Sequence, residues 1–351
     1  MTTMIKLRLL TTFTYIIITC LSSNCTQPKS TQTTVASPED TLVQIPNEWI
    51  EKLRNSSKPA HELINEFEAL LYPEPKGKLI KRKSTDDLLL KPTFINVDYS
   101  PEEELLLWIG HAEFSEFAVI KQIKKRWYLL YSKTHSTWRK DPRLKIGDAL
   151  SKQTPKVFYV DHLYGHGSGF GWAKWHFFRI ENNRVVTGLK VVSGATHSII
   201  GVPLGHEVNT KVYIKDVNHI EVLYHYAFHF GASAHTYLEE SYYHQHERTL
   251  TEVPLIKGQI KIAYVWNPTN QQYQLADGNL KAKEKFLNNY GQFSEFYNAF
   301  RSEIEESTHP NKDQILGTFQ KIMANEPETS EEPLFLFGYL SPSYYQARNK
   351  K

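Results

Sequence analysis

The side chains best equipped for chemistry gather between positions 160 and 250. Of fifteen histidines, eleven fall in this window: His162, His166, His176, His197, His206, His219, His225, His229, His235, His244 and His246. Imidazole is a common metal ligand and titrates near neutral pH, so zinc is the first chemistry to consider. Zinc takes three or four N, O or S ligands, with one position left open in catalytic sites. A strand over residues 220–230 would split its side chains by parity. Ile220, Val222, Tyr224, Tyr226, Phe228 and Phe230 form an apolar face, while His219, Glu221, His225 and His229 share the other with Leu223 and Ala227. His225 and His229 then lie roughly 13 Å apart, too far to hold one ion unaided. A metal site would recruit His176, His235, His244 or His246, and His225, His229 and His235 form the candidate set. The competing reading is a solvated sheet face rich in His and Tyr. No HExxH pattern is present, because His61-Glu62 is followed by Asn65.

A second cluster is the stretch Gly165-His166-Gly167-Ser168-Gly169-Phe170-Gly171. It lacks the Gly-Lys-Ser/Thr of a phosphate loop, the flanking glycines of a nucleophile elbow and the dinucleotide fingerprint. Glycine at every second position suits a turn or a strand packed close to another backbone. His166 and Ser168, with Trp172 and Trp175 just beyond, are the candidate ligand-contacting residues. The run Glu239 to Glu247 adds carboxylates and aromatics. Acid–base hydrolysis of a glycan needs two carboxylates facing one cleft, and on a strand or loop the adjacent Glu239 and Glu240 point apart.

The elements that must position these groups are mostly strands. Aromatics are 13% of the chain, with 20 Tyr, 18 Phe and 7 Trp, types that favour pleated surfaces. Strands are expected over 93–98, 104–109, 116–123, 126–131, 156–160, 172–180, 184–192, 220–230, 259–266 and 271–275. Glu181-Asn182-Asn183-Arg184 and Asn267-Pro268-Thr269-Asn270 supply hairpin turns. Trp49, Leu53, Leu63, Phe67, Leu70 and Leu71 recur at helical spacing, with Pro59 dividing two helices. Phe286 through Ile304 shows a broad apolar helical face, 313–323 reads as another helix, and 334–340 as a last strand. The fold class is α+β, an antiparallel meander that is open, barrel-like or propeller-like, with helices at both ends. Residues 1–25 form a leader, 26–45 a tether, 46–92 a small helical segment, 93–276 the β-rich body, 277–326 a helical segment, and 327–351 a linker and tail.

Length and composition bound the rest. The 351 residues, 40% hydrophobic and 23% charged, describe a globular chain. Removing the leader with Lys6 and Arg8 lowers the formal charge from +3 to +1, which gives no electrostatic reason to expect nucleic acid. The basic run 76–83 is followed by Asp86 and Asp87 and reads as a solvated loop. Lys6 and Arg8 precede an apolar run over 9–21, then Ser22, Ser23, Asn24 and Cys25. This is the three-part order of a secretory leader, too short for a membrane-spanning helix. Both cysteines, Cys20 and Cys25, sit in this segment, so the body of the exported protein is without disulfides.

The Cys25 arrangement, followed by the polar run 26–37, resembles a bacterial lipoprotein leader, although Asn24 stands where that family prefers a smaller residue. The resemblance implies that Cys25 is the first mature residue and carries lipid; ordinary cleavage nearby is the alternative. Two stretches of the body loosely resemble blades of exported bacterial propeller-like repeat proteins. The first joins Ile95-Asn96-Val97-Asp98 to 101–107 and 117–131; the second joins 157–161 to 165–171 and 172–180. Asp98 and Asp161 stand alone where those repeats carry acidic clusters, so calcium is not implied. The expected function is an exported, periplasmic or outer-membrane-anchored module that binds a ligand, an envelope protein or a glycan without catalysis. A metal-dependent or glycan-acting hydrolase using the His-rich loops, with zinc as its cofactor, is the alternative. A third reading makes 281–307 a docking face.

Overall fold

The run Glu104-Leu-Leu-Leu-Trp-Ile-Gly110 is buried at every position, the mark of a strand covered on both faces. Its side chains divide by parity. Leu105, Leu107 and Ile109 enter one core with residues of two N-terminal helices. Leu106 and Trp108 enter another, shared with a second sheet. The computed structural model describes residues 42–71, 88–110, 114–136, 144–147, 156–167, 170–197, 203–231, 234–276, 290 and 292–325.

The first sheet comprises β1 (Val43–Ile45), β2 (Leu89–Ile95), β3 (Glu104–Gly110), β4 (Phe114–Ile123) and β5 (Arg126–Ser136), in the order β1-β5-β4-β3-β2. Helices α1 (Asn47–Arg54) and α2 (Ala60–Leu71) pack on one face. Trp49 stacks on Phe67 at 5.1 Å and donates its indole N–H to the Leu63 carbonyl at 3.1 Å.

The second sheet has eight strands. They are β6 (Leu144–Ile146), β7 (Phe158–Gly167), β8 (Phe170–Glu181), β9 (Arg184–His197), β10 (Leu204–Asp216), β11 (His219–Phe230), β12 (Ile256–Asn267) and β13 (Gln272–Leu275), each beside its sequence neighbours. The architecture is α+β and dominated by antiparallel sheet. Among the described residues no barrel closes, and the sheets hold five and eight strands where a propeller blade has four. The two blade-like stretches fall in different sheets.

Three apolar cores hold the elements together. Between the sheets, Phe158, Val160, Phe178 and Ile180 meet Leu106, Trp108, Phe117 and Val119, with Phe117 and Phe178 centred 5.8 Å apart. The largest core joins the eight-stranded sheet to α3 (Glu240–Glu252), α4 (Phe293–Ala299), α5 (Arg301–Glu305) and α6 (Lys312–Ala324). Phe228 packs edge-on against Phe296 and Phe300, and Phe230 stacks on Phe319. Phe293, Phe296, Tyr297, Phe300 and Ile304 are therefore core residues. Their burial removes them as the docking face expected from the helical stripe. Residues 281–289 and 334–340 lie outside the described residues.

Other expectations shift. Residues 240–247, expected on a strand or loop, lie in α3. Its surface is polar nearly all round, tied by Glu240–His244 and Arg248–Glu252 pairs one turn apart, with Leu250 buried. Strand pairing also begins before the expected body, at Val43 and Leu89. Gly258 faces Tyr226 across β11 and β12. A Cβ there would come within 2.3 Å of the tyrosine oxygen, so this close approach requires glycine.

Two hairpins turn on paired residues with positive φ. Asn182 (φ 52°) and Asn183 (φ 57°) close β8–β9 between Glu181 and Arg184, as the sequence predicts. Lys124 (φ 50°) and Lys125 (φ 67°) close β4–β5 in the same way, although lysine disfavours this region. Lys125→Gly should raise the unfolding free energy by about 1 kcal/mol, measurable by urea denaturation; an unchanged or lowered midpoint contradicts this account of the turn.

Candidate functional site

Residues paired across an antiparallel sheet face the same side. Lys145 pairs with Tyr159 on β7, and two residues along β7 Asp161 pairs with Trp175. Ala173 pairs with Gly194, and Gly194 with Asn209. One face of β6–β10 thus presents Lys145, Asp161, Trp175, Ala173, Gly194 and Asn209. Together with Ser193 they line a pocket of about 360 Å³, inside the ~300–1,000 Å³ range of small-molecule sites.

The floor is low because Ala173 and Gly194 are small. The wall is the indole of Trp175, set edge-on against Tyr159 at 5.2 Å. Its Nε1–H donates to Thr210 Oγ1 at 3.2 Å, and Thr210 donates in turn to the Ser193 carbonyl at 2.8 Å. Ser193 lies at a register shift, where β8 advances one residue and β9 two. A bulge re-aims the extra side chain, and Ser193 Oγ donates to Asp161 Oδ1. Asp161 is 4% exposed, so its carboxylate is held at the base of the pocket. Asn209 and Lys145 are exposed at the rim.

The anticipated ligand residues fare differently. Trp175 is in the pocket. Trp172, three positions away, projects from the opposite face and lies 5.2 Å beneath the Lys174 ammonium. His166 pairs with Gly171 near the tip of the β7–β8 hairpin; its side chain and Ser168 lie outside the described residues. Gly165–Gly167 and Phe170–Gly171 of the glycine stretch lie on the ends of β7 and β8, and residues 168 and 169 lie outside the described residues.

The candidate metal set is not brought together. His225 and His229 are four residues apart on β11, opposite Asn209 and Gly205. His235 lies in the 3-10 turn Ala234–Tyr237, its ring 5.1 Å from Tyr243. His244 faces Glu240 on α3, and His246 stacks on Tyr242. Among the described residues no group of three or more His, Cys, Asp or Glu could hold a metal ion. Glu239 and Glu240 are exposed at the start of α3.

Two polar clusters with buried members lie elsewhere among the described residues. His162 and His176 stack at 5.2 Å on the face of β7–β8 opposite the pocket, with Lys174 and Lys190. Burial, with Lys133 and Lys190 nearby, pulls His162 down to about 4. Burial, with Lys190 nearby, lowers Lys174 to about 7. In the first sheet Lys121 pairs with Asp98 and lies 3.6 Å from Glu104, which accepts the Val97 N–H at 2.7 Å. Burial pushes Glu104 up to about 7. Sequence reasoning singled out Asp98 and Asp161 only as isolated acids, and it passed over Lys145, Ser193 and Asn209. The alternation Val208-Thr210-Val212-Ile214 was the available signal for β10.

Comparison with family models, with curated proteins and with solved structures finds no match to the chain.

The shifted groups set opposing pH dependences. A carboxyl raised from 4.5 to about 7 binds its proton more tightly in the fold, so its contribution is full below pH 4.5 and is lost as pH rises to 7. A lysine lowered from 10.5 to about 7 does the reverse, adding stability as pH rises from 7 to 10.5. The stability of Glu104→Gln relative to wild type should therefore climb between pH 4.5 and 7 and level off above. Urea midpoints across that window check it, and a flat difference contradicts the assignment.

Proposed function

We propose that this protein is an exported cell-envelope module that binds a ligand without catalysis, and that the β6–β10 pocket is its ligand site. The observation that carries this reading is the convergence of residues from five successive strands on one cavity. A carboxylate, an amide, an ammonium and an indole there combine an apolar wall with a few placed polar groups, the usual composition of small-molecule sites. Among the described residues lining it there is a single carboxylate, Asp161, whereas glycoside hydrolysis uses two. This favours binding over hydrolysis.

The experiment is a fragment screen by ligand-observed NMR on the full chain and on Gly194→Leu. A Cβ at Gly194 meets nothing closer than 3.6 Å, so a side chain can start there, and leucine is large enough to fill the pocket floor. Fragments that bind wild type should lose binding about tenfold or more in the variant at an unchanged melting temperature. Binding that survives in Gly194→Leu would place the ligand elsewhere.

Export rests on Lys6, Arg8, the apolar run over 9–21 and Cys25. A lipid on Cys25 would hold the module at a membrane through the Ser/Thr/Gln-rich segment after it, facing envelope protein or glycan partners. Cys25→Ala should then move the protein from the membrane fraction of a bacterial host to the soluble envelope fraction. An unchanged distribution counts against lipidation.

A further inference from the structure

We infer that the basic end of the inter-sheet core binds a phosphate group, held between Lys133 of the first sheet and Lys190 of the second. The site is separate from the β6–β10 pocket and lies on the other face of β7–β9.

Strand register places the groups. Phe158 pairs with Phe178, Val160 with His176 and His162 with Lys174 across β7–β8, and His176 pairs with Lys190 across β8–β9. Cross-strand partners share a face, and Phe158 and Phe178 turn theirs towards the first sheet. There Val119 pairs with Tyr131 and Phe117 with Lys133, and Tyr131 packs on Phe178 at 5.4 Å. Lys133 therefore faces the second sheet, two residues beyond Tyr131. Along these strands the facing surfaces change from Phe and Tyr to His176, His162, Lys174, Lys190 and Lys133.

The carboxylates of these strands turn elsewhere. β5 and β9 carry none. Glu116 on β4 pairs with Ile109, on the face that meets the helices, and accepts the Ser132 hydroxyl. Asp161 on β7 faces the pocket, and Glu181 pairs with Arg179 at the end of β8. Lys174, His162 and His176 are engaged within the fold, so the ligand's charge falls to the two remaining lysines. Lys133 and Lys190 are exposed, and neither makes an ion pair or hydrogen bond among the described residues. Burial lowers Lys190, and the Lys133 ammonium lowers it further, as a nearby like charge does.

An anion between these two ammoniums removes their repulsion. Two positive charges match a dianion better than a single carboxylate. A phosphate monoester carries about −1.5 to −2 at neutral pH, and lysine binds phosphate as a point charge. An independent observation points the same way. Ser115 pairs with His135, one step beyond the Phe117–Lys133 pair, so it shares their face as the diagonal neighbour of Lys133. Ser115 is fully buried, and its Oγ has no hydrogen-bond partner among the described residues. A buried hydroxyl left unpaired is costly, and a phosphate oxygen accepts from it.

The test is calorimetry on the full chain with inorganic phosphate and with glycerol 1-phosphate, each against sodium chloride at matched ionic strength. Binding should weaken about tenfold in Lys133→Gln and in Lys190→Gln. Lys257→Gln, at an exposed position on β12, should bind as wild type does. Without ligand, the Lys133 and Lys190 variants should melt no lower than wild type, because each removes a repulsion; a lower melting temperature counts against the inference. Binding of both probes, or of inorganic phosphate alone, supports a free ion as the ligand. Binding of the ester alone supports a phosphate presented on a larger molecule. The inference is overturned if neither probe binds beyond the chloride control, or if Lys257→Gln weakens binding as much as the other two. Loss of binding in Gly194→Leu also overturns it, because the phosphate would then sit in the β6–β10 pocket.

Discussion

Ser193 ties four strands into one site. Its hydroxyl bonds to Asp161 on β7 and its carbonyl accepts from Thr210 on β10. Thr210 in turn receives the indole N–H of Trp175 on β8. These bonds exist because the β8–β9 register slips by one residue at Ser193. They sit where β9 and β10 part: the two strands pair only from His197–His206 to Gly194–Asn209, while β10 continues paired with β11. A regular ladder through this point would aim Ser193 along the alternation and take its hydroxyl away from Asp161. The bulge is thus the local irregularity that converts a flat sheet face into a cavity with a fixed carboxylate.

The remainder of the molecule supplies the rigidity this arrangement needs. β7 and β8 are clamped from the first sheet by Phe158, Val160, Phe178 and Ile180. β11 is held by the phenylalanines of α4 and α6. Phe177, Val191 and Tyr159 carry that large core up to the pocket wall. Against this apolar background, the buried Glu104–Lys121–Asp98 cluster contributes orientation more than net stability. Desolvating charges offsets most of what their attraction returns.

Much of this fold was legible in the sequence, and the reasons are local. The apolar run 104–109 reads as a strand, Asn182-Asn183 as a hairpin turn, and 220–230 as a strand whose even positions form an apolar face. Each signal lies within a few residues of the structure it specifies. Helix α3 was hidden because a helix polar on most sides, with Leu250 as its buried residue, has almost no hydrophobic period. The site was legible only in Trp175. Asp161, Ser193 and Asn209 belong together through register, and register is a non-local property set by turns and bulges. The histidines misled for the same reason: proximity in sequence along β11 and α3 is not convergence in space.

The most direct test of the ligand site uses Ala173, whose methyl group forms the pocket floor. In protein carrying carbon-13 only in alanine methyls, the Ala173 resonance, assigned by Ala173→Gly, is followed as a fragment from the screen is added. The account predicts a saturable shift at Ala173, while Ala118 in the helix-facing core of the first sheet and Ala234 beneath the C-terminal helices stay fixed. Ligand binding that leaves Ala173 unmoved would contradict it.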